Sequence, residues 1–87
     1  PLNFACEGGH TEIAELLLWD QRVDPNVPSK SNRTPLHATC IKGHAQVAKL
    51  LLAHPHTQAN TLTDLGLTPL NAACRKSYLP LVEVLLA

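Results

Sequence analysis

Cys6, Cys40 and Cys74 stand 34 residues apart, and much of the chain keeps the same period. Pro1, Pro35 and Pro69 recur at that spacing, each followed by Leu, and Gly9-His10 returns as Gly43-His44. Asn26 returns as Asn60. Residues 1–18 laid on 35–52 without a gap give nine identities in eighteen positions. The third copy keeps Pro, Leu, Cys and the two closing leucines. A fixed period of this length marks a repeat architecture, in which one unit cannot bury its own apolar face and stacking supplies the core. The units are 1–34, 35–68 and 69–87, the last lacking its final loop. No linker separates them, so the chain reads as a single array fragment.

Each unit carries the signals of a helix pair. Thr34-Pro35 and Thr68-Pro69 place a capping hydroxyl before a proline at the first helical position, where the missing N–H costs nothing. A short helix is predicted from Pro35 to about Lys42, ended by Gly43 in the left-handed region. A second is predicted from about Ala45. Its Val47, Leu50 and Leu51 fall at i, i+3 and i+4, with Ala48 and Leu52 widening the stripe, as Ile13, Leu16 and Leu17 do in the first unit. Turn formers fill the rest, from Asp24-Pro25-Asn26 to Asn32 and from His54-Pro55 to Gly66.

The run Thr34-Pro35-Leu36-His37-Ala38, closing on Gly43-His44, resembles the T-P-L-H-x-A…G-H signature of ankyrin repeats. Gly66-Leu67-Thr68-Pro69-Leu70 supplies the glycine that precedes it by two, and the likeness covers essentially the whole chain. Tetratricopeptide repeats share the period, but their W-x2-L-G-x2-Y pattern is absent. The resemblance implies a mostly α solenoid of stacked antiparallel helix pairs joined by β-hairpin-like loops.

Departures from the family pattern carry their own expectations. The period is one residue longer than the usual 33, and Asn3 and Asn71 replace the signature histidine that His37 keeps. Asn can still donate to loop backbone, with shorter reach. Asn32 stands where Gly66 does, and Ser29 and Thr63 replace the usual loop aspartate. Ser77-Tyr78 replaces Gly-His, which costs on the order of 1 kcal/mol if the left-handed turn is kept. The third helix pair is therefore expected to be the least secure. The opening at Pro1 and the close at Ala87 read as a piece cut from a longer protein.

Little here suggests chemistry. Seven basic residues balance seven acidic ones, and Trp, Tyr and Phe occur once each, so neither a phosphate-binding charge excess nor a base-stacking platform is in view. No apolar run is long enough to span a bilayer. There is no G-x-S-x-G elbow, H-E-x-x-H helix or phosphate loop. His54-Pro55-His56 is a weak metal candidate lacking a third ligand, so neither metal nor cofactor is expected. His10, His37 and His44 answer to the repeat. The three thiols read as inert core residues of a reducing compartment, intracellular and either cytoplasmic or nuclear, set too far apart to bridge.

The resemblance implies a non-catalytic module that binds a partner protein through hairpin tips and inner-helix ends. Carried onto this sequence, that surface is Glu7 and Gly8; then Lys30, Ser31, Arg33, Ile41 and Lys42; then Asp64, Leu65, Leu67, Arg75 and Lys76. Five of its charged residues are basic (Lys30, Arg33, Lys42, Arg75, Lys76) and two acidic (Glu7, Asp64), whereas Glu12, Glu15 and Glu83 fall on outer helices. The expected partner is a protein segment with acidic and apolar residues, not nucleic acid or membrane. Leu65 and Leu67 are either an apolar anchor or one packed and one isolated surface leucine. Trp19 is expected to cover the adjoining loop. The family also implies two candidates for asparaginyl hydroxylation, Asn26 and Asn60, each eight residues after a leucine, against the simpler reading that both stabilise loops. The rival function is an ankyrin segment that positions a domain of a larger enzyme, ubiquitin-ligase adaptor or channel. Uncapped ends predict marginal stability or self-association.

Overall fold

The computed structural model describes residues 2–76 and 78–86. Among these residues six helices follow in order: α1 (Leu2–Gly8), α2 (Thr11–Trp19), α3 (Pro35–Lys42), α4 (Ala45–Ala53), α5 (Pro69–Arg75) and α6 (Leu79–Leu86). A single 3-10 turn, Lys30–Asn32, interrupts the first long loop, and no strand forms among the described residues. α1, α3 and α5 stack as an inner row, α2, α4 and α6 as an outer row, and each inner helix packs on the outer helix that follows it.

The boundaries follow from the local chemistry. Thr34 Oγ1 accepts from the His37 N–H at 3.4 Å while His37 Nδ1 accepts from the Thr34 N–H at 3.2 Å, closing a reciprocal cap ahead of Pro35. Thr68 Oγ1 accepts from the Asn71 N–H at 3.2 Å, ahead of Pro69. Gly9 and Gly43 take positive φ, 69° and 78°, to end the inner helices of the first two repeats. At both positions the next repeat makes a side chain unwelcome. A Cβ at Gly9 would stand 2.7 Å from the His44 ring, and one at Gly43 would stand 2.9 Å from the Tyr78 ring. Tyr78 thus fills the place of the usual histidine by packing on the preceding glycine. The turn expected at Ser77 lies outside the described residues.

The core is the seam between the two rows. Leu2, Cys6, Leu36, Cys40, Val47, Leu51, Ala73 and Leu81 are almost fully buried there. Each large aliphatic side chain so buried contributes about 1.5–3 kcal/mol. Stacking decides exposure more than residue type does. Val47 and Leu81 are buried against the preceding outer helix, but Ile13, which holds the same place in the first repeat, is 52% exposed. Cys74 corrects the expectation of three core thiols. Cys6 and Cys40 are buried, whereas Cys74 is exposed on α5, which no further inner helix covers among the described residues. All three are free.

Candidate partner-binding surface

The loops are pinned to one another before they present anything outward. Asn26 Nδ2 donates to the His56 carbonyl at 2.7 Å and its Oδ1 accepts from the Gln58 N–H at 2.7 Å, so one side chain spans two repeats. Toward the tips, Asn32 Nδ2 donates to the Leu62 carbonyl at 2.8 Å and the Asp64 N–H donates to the Ser31 carbonyl at 2.9 Å. Asn32 and Ser31 adopt φ near 60°, and Gly66 takes 79° at the next tip. Ser29 and Thr63 also replace the usual loop aspartate with work of their own. The Ser29 hydroxyl donates to the Arg33 carbonyl at 3.1 Å, and Thr63 Oγ1 accepts from the Leu67 N–H at 3.2 Å.

Histidines and one asparagine tie the inner helices to these loops. His37 is buried, and its Nε2 donates to the Leu67 carbonyl at 2.9 Å, which defines the neutral tautomer with the proton on Nε2. Burial pushes its pKa down, the Leu67 and Thr61 carbonyls oppose that shift, and the Arg33 charge adds to it. Asn3 reaches only to the Val27 carbonyl, at 3.3 Å, and leaves its own Oδ1 buried without a partner. The shorter side chain does part of the histidine's work. His44 Nε2 donates to the Glu7 carbonyl at 3.1 Å, fastening the second repeat to the first.

Against that frame stand the residues expected to meet a partner. Lys30, Ser31, Arg33, Lys42, Asp64, Arg75 and Lys76 are exposed. The one ion pair among the described residues, Arg22 with Asp20 at 2.9 Å, lies elsewhere. Arg33, Ile41 and Lys42 come together with Glu7, Ser29 and Ala38 around a cleft of about 150 Å³ between the first two repeats. Ile41 is half-buried and packs on the core beneath it. Leu65 and Leu67 do not line this cleft. They also differ from each other. Leu65 is 79% exposed at a hairpin tip, whereas Leu67 is half-buried with both backbone groups hydrogen-bonded.

Other candidates from the sequence sit apart from this surface. His54 and His56 rings lie 5.7 Å apart, and His54 Nδ1 accepts from the His56 N–H at 3.1 Å. Among the described residues no group of three or more His, Cys, Asp or Glu side chains gathers where it could hold a metal ion. Asn60 is exposed, in contrast to the cross-linking Asn26. Trp19 is 80% exposed and lines a cleft with Gln21, Val23, Asp24 and Pro25 of the adjoining loop. No helix among the described residues is long and apolar enough to cross a membrane.

Comparison with known proteins agrees with the stacked-helix fold. The family model for ankyrin repeats matches as three copies over residues 2–87. Among solved structures, the chain is similar to the crystal structure of the human ASB11 ankyrin repeat domain, with 34% sequence identity and a TM-score of 0.89. The alignment covers 99% of this chain and 38% of that one, so the chain spans well under half of the domain it resembles. No match was found among curated proteins.

Proposed function

The chain belongs to the ankyrin repeat family, and on that premise we propose that it binds a partner protein across its hairpin tips and inner-helix ends, without catalysis. Repeats of this family are generally protein–protein interaction modules. The observation that carries the reading here is the cleft of Arg33, Ile41 and Lys42, with Glu7 at its side, where two cations that make no ion pair among the described residues accompany a half-buried aliphatic side chain. Lys30, Arg75 and Lys76 extend the positive charge along the same face. A segment with acidic residues beside an apolar one complements it, and the exposed Leu65 offers a second apolar contact at the tip. The free thiols support a reducing, intracellular setting.

Affinity capture with the chain and with an Arg33→Glu/Lys42→Glu variant tests the proposal. Proteins retained by the parent should be lost by the charge reversal and kept by Glu83→Lys on the outer row. Equal capture by all three would remove this face from consideration.

One observation favours the alternative, in which the repeats form part of a longer array positioning a domain of an enzyme, ubiquitin-ligase adaptor or channel. Phe4 is 74% exposed at the place where Ala38 and Ala72 are buried, and Leu16 is 72% exposed beside it on the same end. Another repeat, or a second copy of the chain, would cover both. Sedimentation of the chain distinguishes self-association at this end, which a Phe4→Ser/Leu16→Ser variant should abolish.

A further inference from the structure

The outer row carries a surface with chemistry opposite to that of the inner one. Trp19 closes α2 and stands between two adjoining clefts that share Leu18, Trp19, His54 and Pro55. The first, about 210 Å³, is lined by Leu18, Leu50 and Ala53 together with Glu15. Its size suits one apolar side chain. The second, about 670 Å³, is lined in addition by Val23, Asp24 and Pro25. Each cleft therefore has a carboxylate, and neither is lined by a Lys or Arg.

Glu15 lies one helical turn before Trp19, on the same face of α2, and makes no ion pair among the described residues. An exposed indole face attracts a guanidinium or ammonium group, and a carboxylate one turn away adds to that attraction. Apolar lining, indole and carboxylate together select a ligand with a cation next to a hydrophobic residue. Repeat symmetry does not require any of this, because Ala53 holds the position equivalent to Trp19 and Lys49 the position equivalent to Glu15.

We infer that the paired clefts around Trp19 are a second docking site, taking an extended segment of a partner protein that carries an arginine or lysine beside an apolar residue. The apolar residue enters the Leu18–Leu50 cleft, and the cation lies over the Trp19 ring toward Glu15. Charge separates the two surfaces: the inner face suits acidic segments and the outer one basic segments. One chain can thus hold two partners at once.

Selection of a random peptide library on the immobilised chain tests this, followed by calorimetric titration of the enriched peptides. Enriched sequences should pair Arg or Lys with an apolar neighbour. Their affinity should fall about tenfold or more in Trp19→Ala and in Glu15→Lys and stay unchanged in Arg33→Ser/Lys42→Ser. Helical circular dichroism equal to the parent's shows that the variants fold, and the exposure of both side chains leads us to expect that. A library with no enrichment, enrichment of acidic peptides, or binding indifferent to Trp19 would each overturn the assignment. So would a concentration-dependent dimer of the parent that Trp19→Ala dissolves, since the occupant would then be a second copy.

Discussion

His37 Nε2 donates a 2.9 Å hydrogen bond to the carbonyl of Leu67, thirty residues further along the chain. The same ring accepts from the Thr34 N–H. One buried side chain therefore caps its own helix and holds the loop that leads into the next repeat. Because ankyrin repeats touch only their neighbours, such links set how firmly each interface is coupled.

Replacing His37 by Ala should destabilise the chain by about 2–4 kcal/mol, since it empties a buried site and strips the Leu67 carbonyl and Thr34 N–H of partners. His37→Asn should cost less, because Asn3 shows that an asparagine at this place still reaches a loop carbonyl. Urea unfolding followed by circular dichroism gives both values. Equal losses for the two variants would contradict the role assigned to the ring nitrogens.

The same imidazole makes stability depend on pH. Its folded pKa lies below the ordinary 6.5, first because it is buried. The unfolded chain then binds the proton more readily, so the contribution is complete above pH 6.5 and is lost as pH falls through 6.5 toward the folded value. The urea midpoint should drop over that interval in the parent and drop less in His37→Asn.

Gly43 and Gly66 share a left-handed φ, at 78° and 79°, but not their surroundings. Nothing lies within 4 Å of a Cβ built at Gly66, whereas one at Gly43 meets the Tyr78 ring at 2.9 Å. Gly66→Ala should cost about 1–2 kcal/mol from the backbone alone. Gly43→Ala should cost about 1 kcal/mol or more beyond that as the ring is displaced. Pairing Gly43→Ala with Tyr78→Ala should recover that excess in a double-mutant cycle.

The thiols should divide two to one. Burial pushes the Cys40 pKa up to about 12 and raises that of Cys6, so neither offers an accessible thiolate near neutral pH. Cys74 is exposed. Ellman's reagent should therefore titrate one cysteine in the folded chain and three in denaturant. A rapid count of three under native conditions would mean that the stack opens readily.

Hydrogen exchange should be slowest in α3 and α4, the only pair among the described residues with a neighbour on each side. Six residues of α3 are buried, against three in α5. Equal protection of α5 and α6 would contradict the weak third repeat expected from the sequence.

Much of this architecture is local and so legible in residues near one another. Thr34-Pro35 begins α3 and Gly43 ends it because a hydroxyl cap, a fixed proline φ and a tolerated left-handed φ act within a few residues. The 34-residue period extends that reading to the whole stack. What surrounds each copy is not local. The period makes Cys6, Cys40 and Cys74 equivalent, yet only the first two have a following helix against them. Leu65 and Leu67 are neighbours of one type, but only Leu67 turns inward, with its carbonyl held by His37. Trp19 and residues of the loop that follows it line one cleft together, yet the ring stays 80% exposed, an outcome that depends on how the first two repeats stack. Helix starts and stops, and the repeat itself, were thus determined by the sequence through short-range sterics and capping. Burial was decided only by the stacked structure, because exposure depends on which neighbour each repeat has.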